Sequence, residues 1–248
     1  MTFSDDFTIG SAEELMDAIE RLGFVPFFEN EIPGFSIEEH IGRGCWYDDG
    51  DNGFWPAWEW KGPVIKKTKC AYGKFLRNKA MYISPEFFPD FANYRRDGYD
   101  FDTLVDEGAA PHREKKLMAP FLTGGLPNDA ALYSFVLKAE AGFGPGGEKN
   151  YEGVLTDLQM RTYLIIGDFR QRLNRRGQPY GWHLAVIQTP EAKLGYDAIA
   201  AAYSEAPRVS REKIFARVRR FFPNASGPQL DRWLGIRGAG AAEKKRSD

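Results

Sequence analysis

Three stretches of the sequence gather residues that could do chemistry. The first, "WPAWEWKGPV" (55–64), sets Glu59 and Lys61 among Trp55, Trp58 and Trp60. A carboxylate beside aromatic walls can act on a nucleobase turned out of a duplex and stacked there. The competing reading is packing, since clustered Trp residues are usually core and a neighbouring Glu–Lys pair usually lies at the surface. Glu59 is the candidate catalytic carboxylate, with Trp58, Trp60 and Lys61 the candidate cleft around it. The second stretch, "FFPDFANYRRDGYDFD" (87–102), could add Asn93, Arg95, Arg96 and Asp97 to a cleft. It could equally be a helix end whose cations suit the helix dipole. The third, "DFRQRLNRRGQPYGWHLAVIQ" (168–188), reads as two strands around a tip carrying Arg170, Arg172, Arg175 and Arg176. A ribbon with such a tip can reach phosphates, though exposed turns are often charged for no further reason. Arg161, Arg217 and Arg220 complete the candidate nucleic-acid set.

Metal and cofactor chemistry finds little support. With Asp48 as the first position of a calcium loop, Asn52, Gly53, Trp55 and Glu59 fall at suitable offsets. Gly50, however, stands where a ligand belongs, and Pro56 interrupts, so an acidic exposed loop is the better account. His40, His112 and His183 are far apart and lack ligand spacing to a cysteine or to each other, so no metal is expected. "GFGPGG" (142–147) has glycines without the preceding apolar strand of a dinucleotide site, and no cofactor is expected. No Gly-x-Ser-x-Gly elbow occurs.

The elements that must position these residues are set by composition and pattern. At 43% apolar and 15% aromatic, the 248 residues can bury a core and are not a disordered chain. The formal net charge of −2 hides an asymmetry. Residues 1–60 hold 14 Asp/Glu against two Lys/Arg, and the remaining 188 hold 31 Lys/Arg against 21 Asp/Glu. Either one face is basic enough to meet an acidic polymer, or the two segments compensate each other in space. No apolar run approaches the ~20 residues of a membrane span. The N-terminus lacks a secretory pattern, and two cysteines are too few for a disulfide framework. A cytoplasmic, soluble protein is expected.

Along the chain, Ser11-Ala12-Glu13-Glu14 is a capping box for a helix with Leu15, Ala18, Ile19 and Leu22 on one face and Gly23 at its end. "FVPFFENEIPGFS" reads as extended, and "YGKFLRNKAMYIS" as paired strands turning at Arg77-Asn78. Ser84-Pro85-Glu86 predicts a helix start, with a break or bend at Pro89. Asn128 is placed to cap a helix with Leu132, Phe135, Val136 and Ala139 inward, and Tyr151, Val154, Leu155 and Leu158 form a second stripe. Helix, turn, helix and ribbon in that order is the order of a winged helix-turn-helix. The second of those helices carries Glu152 and Asp157 beside Lys149 and Arg161, which argues against base reading by it. A helix over 190–203 and another capped by Ser210, with Ile214, Phe215, Val218 and Phe222 inward, follow.

"GFVPFFENEIPGFSIEEH", "WEWKGPV", "YGKFLRNKAMYIS", "FFPDFANYRRDGYDFD" and "VLTDLQMRTYLIIGDFRQRLNRRGQPYGWHLAVIQTPE" together resemble the AlkZ-related bacterial proteins. These are distant relatives of the AlkZ-type DNA glycosylases, which are built from winged helices and unhook DNA crosslinks. The resemblance implies a winged-helix architecture. It does not bring the glycosylases' Gln-x-Gln motif, because no two of Gln159, Gln171, Gln178, Gln188 and Gln229 are separated by one residue. The expected fold is α+β: an N-terminal α/β region (1–125), a winged helix-turn-helix unit (126–189), C-terminal helices (190–235) and a disordered tail (236–248). The expected function is a DNA-associated protein without glycosylase activity, its partner double-stranded DNA. The alternatives are a glycosylase-like hydrolase using Glu59, and a protein- or ligand-binding module.

Overall fold

The computed structural model of the chain describes residues 8–42, 44–45, 56–122 and 130–235. Helix α1 (Ala12–Leu22) follows its sequence closely. Ser11 accepts the Glu14 N–H at 3.1 Å, while the Glu14 carboxylate reaches one residue further back, to the Gly10 N–H at 2.6 Å. Leu15, Ala18, Ile19 and Leu22 are all buried. Gly23 ends the helix at φ 83°, where a Cβ would stand 2.4 Å from the Phe87 ring, so only glycine fits.

Strand β1 (Phe24–Pro26) is shorter than the extended stretch predicted from sequence, which mostly turns before the one-turn helix α2 (Ile37–His40). Helices α3 (Pro56–Glu59) and α4 (Lys61–Thr68) lead to β2 (Ala71–Leu76) and β3 (Lys79–Ile83). The turn between these strands uses Arg77 and Asn78 at φ 46° and 65°, the paired left-handed residues of a tight hairpin. Helix α5 (Phe88–Arg96) starts later than Ser84 predicts. The N–H groups of Phe87 and Phe88 both donate to the Ser84 carbonyl in a turn, and the Ser84 hydroxyl is buried without a hydrogen-bond partner among the described residues. Pro89 therefore falls in the first turn, where its missing N–H costs no bond, and the helix runs unbroken to Arg96.

Helices α6 (Phe101–Asp106) and α7 (His112–Met118) precede β4 (Leu132–Tyr133), α8 (Ser134–Glu140) and α9 (Tyr151–Met160). The helix expected from Asn128 is corrected here. Asn128 lies outside the described residues, Leu132 is held in β4 by pairing with β6, and α8 buries Leu137 while Phe135 is 44% exposed. The second stripe stands: Tyr151, Val154, Leu155 and Leu158 are buried. The ribbon is β5 (Ile165–Leu173) with β6 (Pro179–Gln188). The helix expected over 190–203 is two, α10 (Pro190–Leu194) and α11 (Tyr196–Ala200), because Gly195 at φ 90° breaks it. Helix α12 (Pro207–Phe221) begins three residues before Ser210, which is not its cap. Ser210 is wholly buried instead, donating to Asp90 and accepting from Asn93, both at 3.0 Å. Helix α13 (Gly227–Leu234) has a true capping box of Ser226 and Gln229.

Among the described residues, six strands join one antiparallel sheet in the order β1-β3-β2-β5-β6-β4. Alternation sorts their side chains onto two faces. Phe24, Ala71, Met81, Ile83 and Ile165 share a core with α5, α12 and α13 through Phe88, Phe91, Ile214 and Trp233. Val25, Tyr72 and Tyr82 face α1 and α4 through Leu15, Ile19, Val64 and Ile65. A further cluster packs α6 to α9 against Ile187 near the root of β6. The chain is a mixed α+β protein, as its patterns indicate.

Candidate functional site

The ribbon outgrows the layers that cover the rest of the sheet: every residue from Arg172 to His183 is exposed. Its tip is a turn closed by Asn174, whose side chain accepts the N–H groups of Arg176 and Gln178 at 2.8 and 3.1 Å. Among the described residues, the guanidinium groups of Arg175 and Arg176 make no hydrogen bond or ion pair. Arg172 lies 4.4 Å from the Phe135 ring centre, and Arg170 pairs with Asp168 at 2.6 Å. Beside these cations stand Leu173, Tyr180 and Trp182, 64%, 48% and 69% exposed.

A register shift shapes the middle of the ribbon. Arg170 faces Leu184, yet Arg172 faces Tyr180, so β6 inserts extra residues around Gly181, which takes φ 72°. Gln171 braces this bulge by donating to the Gly181 carbonyl at 2.8 Å. Bulges re-aim side chains, and here Gly181, Trp182 and His183 stand opposite the single residue Gln171. His183 meets Glu59 at 3.1 Å between Nδ1 and Oε2, tying the ribbon to α3.

That contact closes one side of a cleft of about 400 Å³ at the foot of the ribbon. Trp58, Glu59, Gly62 and Lys66 line it from α3 and α4, and Asp168, Phe169, Arg170 and His183 from the ribbon. Gly62 lets α4 lie close on β5, for a Cβ there would meet the Phe169 carbonyl at 3.4 Å. Lys61 holds its ammonium 3.9 Å from the Trp58 ring centre and 4.6 Å from that of Phe169. Burial pushes its pKa down to about 8, only partly opposed by the Glu59 carboxylate. Asp168 is buried, accepting the Phe169 N–H at 2.8 Å as well as Arg170. Behind it Lys193, also lowered to about 8 by burial, donates to the Gly167 carbonyl at 3.1 Å and that of Ile65 at 3.3 Å.

The structure thus brings together Glu59, Trp58, Lys61 and Arg170 from the sequence-predicted set. Trp60 packs partly buried against the α1–α4 core. Asn93, Arg95 and Arg96 go elsewhere, into the interior. Arg95 donates to the carbonyls of Phe75 and Leu234. Arg96, its side chain 1% exposed, binds Glu191 and the Thr162 carbonyl at 2.5 Å and the Tyr203 hydroxyl at 2.7 Å. Burial alone would lower the Arg96 pKa, but Glu191 and Tyr203 raise it overall and the group stays charged. Arg161 pairs with Glu114 at 2.7 Å. Arg217 donates to the carbonyls of Arg21 and Leu22 at the end of α1, and Arg220 is exposed on α12. Asp48, Asn52, Gly53 and Trp55 lie outside the described residues. Among the described residues no group of three or more His, Cys, Asp or Glu could hold a metal, and no helix is long and apolar enough to cross a membrane.

Sequence reasoning missed Trp182, His183 and Asp168. The available signal was Gly181 inside a strand, which marks a bulge or a close approach. A family model described as AlkZ related matches residues 9–235, and the chain belongs to that family. No curated protein and no solved structure matches it.

Proposed function

We propose, taking membership of the AlkZ-related family as the premise, that this protein associates with duplex DNA through the exposed ribbon of a winged-helix unit. The unit takes in residues 126–189, resting on an N-terminal α/β region (1–125) and followed by helices over 190–235. Its support is the order β4, α8, α9, β5, β6 with strands arranged β4-β6-β5. One observation carries the functional reading: a projecting ribbon on which Arg170, Arg172, Arg175 and Arg176 stand beside exposed Tyr180 and Trp182. The arginines meet phosphates, and the aromatic rings stack on bases or sugars.

Helix α9 is not the reader in this arrangement. Gln159 accepts the Lys74 N–H at 2.8 Å, so that side of α9 is docked on β2. Its exposed residues include Glu152 and Asp157, which repel phosphate. Arg161 and Arg217 are engaged inside the fold and drop out of the contact set, while Arg220 remains as a peripheral contact. Titrating the protein into a fluorescent duplex at rising salt should give a log–log slope of about −3 to −4, one phosphate per ribbon arginine. Binding insensitive to salt, or absent at low salt, contradicts the proposal.

The Glu59–His183 contact favours a second reading, a glycosylase-like hydrolase in which the Glu59 carboxylate activates water. Incubation with alkylated or crosslinked duplex then yields abasic product, lost in Glu59→Gln; no product from the wild-type protein rules that reading out.

A further inference from the structure

Phe135 is an apolar ring that its helix does not bury, and the fold fixes it in that position. Helix α8 buries Leu137 and leaves Phe135 exposed. The start of the helix is pinned from two sides. Leu132 and Tyr133 pair with Ile187 and Val186 of β6, and the Tyr151 hydroxyl donates to the Ser134 carbonyl at 2.7 Å. Tyr133 in turn donates to the Gln171 carbonyl at 3.1 Å, and its ring centre lies 5.5 Å from that of Phe135. The exposed ring is in place before any partner arrives, so little freedom is lost on binding.

The ribbon continues this aromatic surface. The Arg172 guanidinium stands 4.4 Å from the Phe135 ring centre, and Arg172 faces Tyr180 across the strands, which puts those two side chains on one face. Tyr133, Phe135, Arg172 and Tyr180 form a row of flat groups, each beside the last. Exposed rings scattered singly need no explanation, whereas a contiguous row marks an interaction surface. Its charge narrows the partner. Among the described residues Arg172, Arg175 and Arg176 make no ion pair, and of the ribbon arginines only Arg170 is paired, with Asp168. No acidic residue occurs between Asp168 and Glu191. The partner must therefore bring anionic groups together with flat apolar faces. An acidic peptide supplies the first without a succession of the second. Nucleotides supply both, yet in an intact duplex each base is covered by its neighbours and offers only its edges. Base faces become available where pairing and stacking are interrupted.

We propose that the row formed by Phe135, Arg172 and Tyr180 stacks on the unpaired bases of a single-stranded gap in DNA, with Arg175 and Arg176 on phosphates of the adjoining duplex. The inference rests on the DNA-association reading above and names the form of DNA that the ribbon prefers. Every base has a flat face, so the row takes any base and reads no sequence. Arg172 serves twice, since its planar guanidinium lengthens the stack while its charge stays available to a phosphate.

The test measures fluorescence anisotropy of the full chain with three labelled probes of one sequence. They are an intact duplex, the same duplex with a short gap, and the gapped duplex with tetrahydrofuran in place of each unpaired base. The third keeps the flexibility of the gap and removes the base faces. The gapped duplex should bind about tenfold or more tighter than the intact one, and the base-less gap should match the intact duplex to within about twofold. Phe135→Ala should cut the preference for the gap to about threefold or less, with intact-duplex affinity and the unfolding midpoint unchanged. Phe135→Tyr, which keeps a flat ring, should retain the preference. Equal affinity for intact and gapped duplex overturns the proposal. A base-less gap bound as tightly as the gap with bases, or a preference that survives Phe135→Ala, overturns it equally. Failure of the underlying reading looks different, because none of the three probes is then bound at low salt.

Discussion

Two regions of this protein are rich in arginine, and they use it in opposite ways. On α12, Arg211 pairs with Asp231, Arg217 donates to the carbonyls of Arg21 and Leu22, and Arg219 donates to the Ala225 carbonyl. These cations close helix ends and hold neighbouring segments. On the ribbon, Arg175 and Arg176 have no side-chain partner among the described residues, and Arg172 rests only on an exposed ring. A basic run in sequence is therefore ambiguous until its partners are known. Arg211, Arg217 and Arg219 of the helix are engaged by the fold, whereas Arg175 and Arg176 of the ribbon are exposed to solvent.

That contrast can be broken most severely at the internal extreme. Replacing Arg96 by Met leaves the Glu191 carboxylate without its partner, and stability should fall by about 3–5 kcal/mol in a denaturant titration. Duplex affinity of the remaining folded protein should not change. At Trp182, which is 69% exposed, Ala should weaken duplex binding by about 1–3 kcal/mol with no shift in the unfolding midpoint. Arg217→Ala should do the reverse at smaller scale, costing about 1–2 kcal/mol of stability by freeing the α1 carbonyls while sparing affinity. If Arg217→Ala altered binding more than stability, the division between the two regions would collapse.

Much of the fold was legible because local chemistry and tertiary packing agree there. Ser11 and Gly23 bound α1, the Arg77-Asn78 turn joins β2 to β3, and the Tyr151–Leu158 stripe is buried as its spacing predicts. The misses have a common physical cause, a distant partner overriding a local signal. Ser84 and Ser210 have the residue type of a cap, yet Ser210 is drawn inside by Asp90 and Asn93. Asn93, Arg95 and Arg96 look like a polar cleft in sequence, but their partners are carbonyls and side chains from as far as Leu234. The site divides the same way. Glu59, Lys61 and Trp58 sit within four residues of each other and were found together. His183 comes from more than a hundred positions away, delivered by a bulge that only Gly181 announced.

The most direct test of the ribbon's role sets two variants side by side in the same salt titration of duplex binding. One carries Ala at Arg170, Arg172, Arg175 and Arg176; the other carries Ala at Arg211 and Arg219. The ribbon variant should lose about 3–4 from the magnitude of the log–log slope, and the α12 variant should keep the wild-type slope to within about 1. Equal slopes for the ribbon variant and the wild type, or a flattened slope for the α12 variant alone, would contradict it.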